Sequence, residues 1–156
     1  MSTEFNACTK SFETIFTPQS PLYSYILQSS NQNLRWLNSA AKPRIIFTPF
    51  HESGIQAAIL CSKKQGLQVR VRSGGRDYEG LSFRSKTPFI IIDLLVNLRG
   101  IEVDIEDETA WVQSGATLGE LYYAIAKKSR VHVFPAGSYP TGGVGGHFTG
   151  VGLVPC

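Results

Sequence analysis

Val69-Arg70-Val71-Arg72-Ser73-Gly74-Gly75-Arg76-Asp77-Tyr78-Glu79-Gly80-Leu81-Ser82-Phe83 is the stretch on which the reading of the fold turns. It opens as a strand, with Leu67, Val69 and Val71 alternating with Gln68, Arg70 and Arg72 at period two. It then breaks into Ser73-Gly74-Gly75. Consecutive glycines let backbone N–H groups turn outward and converge, which makes a concave anion site. A strand running into such a turn suits a pyrophosphate. A plain β-turn is the competing reading, because Gly-Gly is common turn chemistry.

The neighbouring segments extend the pattern. Upstream, Arg44-Ile45-Ile46-Phe47 reads as a short strand stopped by Thr48-Pro49. Ser53-x-x-Gln56 reads as a capping box for a helix through Lys64, with Lys63 and Lys64 at its negative end and Gly66 at C′. Downstream, Phe89-Ile90-Ile91-Ile92-Asp93-Leu94 is a continuous apolar run, as in a strand buried on both faces. Ile101, Val103 and Ile105 alternate with Glu102, Asp104 and Glu106, and Ala110-Trp111-Val112 returns after Asp107-Glu108, so a hairpin is expected. The acids fall on its solvated face, which argues against a metal site. Thr117-x-x-Glu120 is a second capping box, and Leu118, Leu121, Tyr122 and Ile125 keep helical spacing to Lys128. Val131 to Phe134 reads as a strand. A second glycine-rich loop follows, from Pro135 to Gly150, of the kind that brings backbone close to something flat or charged. The order β-α-β-β-β-β-α-β points to α+β or α/β with one sheet.

Residues 1–40 are polar, with aromatic patches at Phe12, Phe16, Tyr23, Tyr25 and Trp36. Short helices are expected at Ala7 to Phe16 and Leu22 to Gln28, with the compact part starting near Pro43. The division expected is an N-terminal segment over 1–38 and the main domain over 39–156.

Composition bounds the function. The chain of 156 residues is 42% hydrophobic and 17% charged, ordinary for a globular domain with a real core. A net charge of +3 without a basic run interleaved with aromatics argues against nucleic acid. No apolar run approaches the roughly 20 residues of a membrane helix, and the first residues carry no signal-peptide core. The chain is then intracellular, mature or incomplete. Cys8, Cys61 and Cys156 form no C-x-x-C, and His51, His132 and His147 have no ligand spacing, so no metal is expected. The residues alone leave a Cys8–Cys61 pair open but favour three thiols. Rossmann, P-loop and nucleophile-elbow motifs are absent. Two glycine-rich loops suggest one long ligand with a phosphate part and a flat part.

Four motifs then match one family in order. Arg72-Ser73-Gly74-Gly75-Arg76-Asp77-Tyr78-Glu79-Gly80-Leu81-Ser82 resembles R-S-G-G-H-D-Y-E-G-L-S. Phe134-Pro135-Ala136-Gly137-Ser138-Tyr139-Pro140-Thr141-Gly142-Gly143-Val144-Gly145-Gly146-His147-Phe148 resembles F-P-A-G-V-C-P-T-V-G-V-G-G-H-F. Ile59 to Lys64 and Trp111 to Tyr122 are similar to the same family. It is that of the plant berberine bridge enzyme-like flavoproteins, and the resemblance runs from about Cys8 to Gly152.

The resemblance implies an α+β fold, the N-terminal part of an FAD-binding domain of the vanillyl-alcohol oxidase type, with a mixed sheet and flanking helices. It implies FAD as the cofactor, with Arg72, Ser73, Gly74, Gly75, Arg76, Asp77, Ser82, Gly115, Gly137, Tyr139, Thr141, Gly142, Gly145, Gly146 and His147 around it. It implies a Cys8–Cys61 disulfide, reversing the preference for free thiols, and a secreted, apoplastic or vacuolar setting. The implied activity is an oxidase that passes substrate hydride to flavin and then to O2; the alternative is a truncated, non-catalytic remnant. The family attaches FAD covalently through the histidine of R-S-G-G-H and the cysteine of G-V-C-P-T. Arg76 and Tyr139 stand there instead. A guanidinium is permanently protonated and no nucleophile, so noncovalent FAD is expected. The sequence also diverges from the family after Phe148. Family members are much longer, and their substrate domain and catalytic base have no counterpart here. No catalytic residue is therefore expected in this chain.

Overall fold

A computed structural model describes residues 2–9, 15–29 and 42–150. In chain order the elements are α1 (Ser2–Thr9), β1 (Ile15–Phe16), α2 (Tyr23–Ser29), β2 (Ile45–Phe47), α3 (Glu52–Lys64), β3 (Gln68–Arg72), β4 (Phe89–Asp93), β5 (Ile101–Asp104), β6 (Thr109–Val112), α4 (Leu118–Lys128) and α5 (Val144–Thr149). A four-stranded sheet has the order β1-β2-β4-β3, with β2, β4 and β3 parallel and β1 antiparallel at the edge. The mixed sheet with flanking helices is the α+β arrangement that the sequence led us to expect.

Strand β4 lies at the centre of that sheet, and all five of its residues are buried. That burial is why its sequence is a continuous apolar run rather than an alternation. Ile90 and Ile92 face a core with Ile45, Phe47, Val69, Ala58, Cys61 and Phe5, which α3 and α1 close. Phe89 and Ile91 face the opposite way, against Phe83 and Leu27, and Ile46 on that same side meets Tyr23 and Ile26 of α2. A Cys8–Cys61 disulfide ties α1 to α3, with Cα atoms 6.0 Å apart. The pairing that the family resemblance implied is thus present. The Tyr23 hydroxyl donates to Pro43 O at 2.7 Å, and burial pushes that phenol up to about 12.

Local chemistry explains the element ends. Gly66 has φ +64° and its N–H donates to Lys63 O, while Leu67 N–H donates to Ser62 O. This is a Schellman stop, which favours glycine at C′. The Thr117–Glu120 capping box is complete at the start of α4.

Several expectations need correction. The first helix is Ser2–Thr9, not Ala7 to Phe16, and Ile15–Phe16 pairs with β2 as a strand. Phe12, Trp36 and Cys156 lie outside the described residues. Ser53 is not the cap: α3 begins at Glu52, two residues earlier than a cap at Ser53 requires, with His51 at the N-cap and no side-chain cap. The hairpin forms its own two-stranded sheet, so there are two sheets among the described residues, not one. It rests on α4, where Val103 meets Leu121 and Ile125. Residues 131–134 pair with no described strand; Val131 and Val133 are 84% and 87% exposed. The second glycine loop ends in α5, which the glycine content concealed.

Candidate functional site

The end of β3 departs most from its pattern. Alternation would turn Val71 inward and Arg72 to solvent. Val71 is instead 51% exposed, and Arg72 is fully buried. The far face of the sheet supplies the reason. Arg72 stands opposite Asp93 in the β3–β4 ladder, and its guanidinium donates to Asp93 Oδ2 at 2.6 Å. It also donates to Ile26 O at 3.1 Å and Leu27 O at 3.2 Å, near the C-terminal end of α2. Arginine can serve three acceptors at once because its donors form a rigid fork.

Beyond Arg72 the chain enters the turn. Ser73 Oγ donates to Ser114 O at 2.5 Å. Gly74 and Gly75 are buried, and Gly75 has φ +67°. The backbone N–H groups of Gly74, Gly75 and Arg76 donate to no acceptor among the described residues. Three consecutive free donors in such a turn are a nest for an anion. Arg76 is exposed and pairs with no carboxylate among the described residues. The nearby Asp77 is turned back on its own loop: its carboxylate accepts from Ser82 N, Ser82 Oγ and Glu79 N. The turn therefore keeps a positive character and fits a diphosphate, which satisfies the donor chemistry an FAD pyrophosphate needs.

The second glycine-rich loop lies directly against the first. A Cβ on Gly74 would meet Gly143 N at 2.4 Å, and one on Gly143 would meet Gly74 N at 2.2 Å. Leu118 N donates to Gly142 O, Val144 N to Ala116 O and Gly145 N to Ser114 O, so this loop is fastened to the start of α4. Thr141 is exposed, and its carbonyl borders the same contact with Gly74. Gly115 is a packing glycine: a Cβ there would lie 2.0 Å from Leu94 O. Gly137 N donates to His147 Nε2 at 3.2 Å, and Gly137 O accepts from the Tyr122 hydroxyl at 2.6 Å. Burial pushes the Tyr122 phenol above its ordinary value, which keeps it a donor. Tyr139 is 69% exposed, and Gly146 has open space around it. An open, mainly apolar hollow of about 450 Å³ lies beside α4, lined by Tyr122, Ile125, Phe134, Ala136 and Ser138 among others.

The structure thus brings Ser73, Gly74, Gly75, Gly142 and Gly145 together. It turns Arg72 and Asp77 away from the nest and buries Gly115 behind it. Sequence reasoning missed Asp93 and Ser114. A lone carboxylate closing an all-apolar strand was the available signal for Asp93; Ser114, which contributes a backbone carbonyl, offered none. Among the described residues there is no metal-holding cluster and no helix long and apolar enough to cross a membrane.

Comparison with known proteins gives a consistent answer. The FAD binding domain family matches residues 43–153. O-acetylstemmadenine oxidase of Catharanthus roseus is 49% identical over 98% of this chain and 28% of its own length. Berberine bridge enzyme-like 26 of Arabidopsis thaliana is 54% identical over 88% of this chain and 26% of its own length. Among solved structures, a berberine bridge enzyme variant superposes with TM-score 0.90 at 40% identity, covering 98% of this chain and 32% of that one. Phl p 4.0202, described as a glucose dehydrogenase, superposes with TM-score 0.89 at 46% identity over 96% of this chain and 32% of its own. The chain spans between a quarter and a third of the length of these relatives.

Proposed function

Since the chain belongs to the berberine bridge enzyme-like family of FAD-linked oxidases, we propose that it forms the cofactor-binding portion of an FAD-dependent oxidoreductase. The observation that carries this is the turn itself: three adjacent N–H groups without an acceptor among the described residues, two of them on buried glycines, where a parallel strand ends. Bound FAD would supply the redox chemistry, accepting hydride from a substrate C–H bond and delivering electrons to O2 as peroxide. The residues of this chain hold and orient it. Gly74, Gly75 and Arg76 present N–H groups to the diphosphate, and Ser73 and Gly143 keep their turn in place. The loop from Gly137 to His147 walls the other side.

In this reading FAD is held noncovalently. Arg76 and Tyr139 occupy the positions of the family's attachment histidine and cysteine, and both side chains are exposed rather than locked to neighbours. The same two residues favour a second reading, a non-catalytic remnant that binds FAD weakly or not at all. Alone, the chain is expected to release no peroxide from alcohol or phenolic donors, because donor and base would be unpositioned and the orientation contribution, up to roughly 7–11 kcal/mol, would be lost.

The test uses the purified protein loaded with FAD. A shifted, resolved visible flavin spectrum is expected, with flavin left in the supernatant after acid precipitation. A colourless protein supports the remnant, and yellow in the washed pellet refutes noncovalent attachment. In a chain extended with a family C-terminal part, Arg76→His with Tyr139→Cys is expected to move flavin into the pellet.

A further inference from the structure

The buried guanidinium of Arg72 joins three parts of the molecule: Asp93 at the end of the central strand, the last turn of α2 through Ile26 O and Leu27 O, and the nest that begins one residue later. We propose that Arg72 and Asp93 are positioning residues for the diphosphate turn. We further propose that their ion pair couples α2 to occupancy of that turn. The proposal rests on the FAD reading above.

Neither side chain faces the nest; both are fully buried. Their effect on a ligand passes through the backbone. Arg72 O accepts from Leu94 N at 2.8 Å, and Asp93 Oδ1 accepts from Leu95 N at 3.1 Å. The pair thus fixes the end of β3 against the end of β4 from both the main chain and the side chain. The next residue, Ser73, is held to Ser114 O, and Gly74 sits against Gly143. Directly after a strand end clamped on two sides, the direction of three N–H groups is set before a ligand arrives.

The arrangement is also costly, which makes a purely stabilising role a poor explanation. A buried ion pair recovers its desolvation only with excellent geometry, and apolar replacement of both partners is often neutral for stability. Arg72 Nε has no hydrogen-bond partner among the described residues, so even this pair is incompletely satisfied there. The two acceptors on α2 explain the choice. The last turn of α2 presents the carbonyls of Ile26 and Leu27 to this side of the sheet, and the arginine fork reaches both while holding a carboxylate. Ligand that draws the turn tight therefore tightens the seat of α2.

Amide hydrogen exchange, with and without FAD, tests this in three proteins: wild type, Arg72→Lys, and the double variant Arg72→Met with Asp93→Leu. In wild type, FAD is expected to slow exchange both in the turn over 73–77 and in α2. In Arg72→Lys the compact ammonium stays with Asp93, so slowing survives in the turn and disappears from α2. The double variant keeps its thermal midpoint, exchanges faster in the turn without ligand, and binds FAD at least roughly tenfold more weakly. The proposal is overturned if α2 in Arg72→Lys is still protected by FAD, or if the folded double variant keeps wild-type turn exchange and affinity. Should wild type bind no FAD, the functional reading fails by itself. The unliganded comparison of turn exchange between wild type and double variant then decides whether the pair positions the turn.

Discussion

The two glycine-rich stretches look alike in sequence and do opposite things. The turn at Ser73–Gly75 uses glycine for conformation: Gly75 takes φ +67°, and the N–H groups of Gly74, Gly75 and Arg76 have no acceptor among the described residues. The stretch from Gly142 to Gly146 uses glycine mainly for clearance. There Gly143 approaches Gly74 and Gly145 approaches Ser114 O, and the N–H groups of Gly142, Val144 and Gly145 are bonded within the protein. One stretch keeps its donors open, as the proposed cofactor site needs, and the other packs against the first. Glycine count alone does not separate these uses; the fate of each N–H group does.

The largest effect should come from closing the gap between the two. In Gly143→Ala the new methyl would lie 2.2 Å from Gly74 N and 2.7 Å from Gly74 Cα, both backbone atoms that cannot rotate aside. Overpacking of this kind costs typically about 1–3 kcal/mol and sometimes more, and this contact belongs at the upper end. Urea denaturation should report it, and a loss below about 1 kcal/mol would mean that the loops separate easily.

A smaller effect is expected within the first turn. Gly75→Ala places a Cβ at positive φ, which costs about 1–2 kcal/mol for an ordinary residue. Loss of FAD binding should exceed the loss of stability, because strain relaxes by rotating the N–H groups apart. Calorimetric titration beside urea melts separates the two; equal losses would make this turn a packing device like its neighbour.

The smallest effect concerns the seat of the second stretch. Thr117→Ala removes the hydroxyl that takes part in the capping box beneath Gly142 and should cost about 1 kcal/mol. Burial raises the Glu120 carboxyl, but hydrogen bonds from Arg99 and Thr117 and the charge of Arg99 outweigh it and hold the group below its ordinary value. A carboxyl so lowered stabilises the fold above its unfolded value, and that contribution falls away as pH drops through the folded one. The gap between wild type and variant is therefore expected to narrow below pH 4.5. A gap that widens on acidification would contradict this account.

Much of this was legible in the sequence where the cause is local. Gly66 stops α3 because the stop needs a left-handed residue at that point, and Thr117 starts α4 because its partner lies within one turn. The burial of Phe89–Asp93 followed from an unbroken apolar run. The misreadings have non-local causes. Ser53 carries the letters of a cap, but the helix had already begun at Glu52. Residues 131–134 alternate like a strand and find no partner among the described residues. Arg72 reads as a solvent-facing charge until Asp93 and the end of α2 are placed around it. The nest could be suspected from Ser73-Gly74-Gly75, but its support by Gly143 depends on a contact far along the chain.

Strand β3 ends the four-stranded sheet, and its outer rim has consequences beyond cofactor chemistry. An open strand rim is a template on which a second copy of the chain can add its own strand, and natural proteins guard such rims with charge and with covering loops. Both guards meet at Arg70. Its Nε donates to Arg84 O at 3.0 Å and its terminal nitrogen to Gln68 Oε1 at 3.1 Å, which draws the segment after the turn across the strand. With half-exposed Val71 beside it, Arg70 sets a charge and a covering segment on this rim, the two devices that discourage edge-to-edge pairing, at a residue that the proposed chemistry does not use.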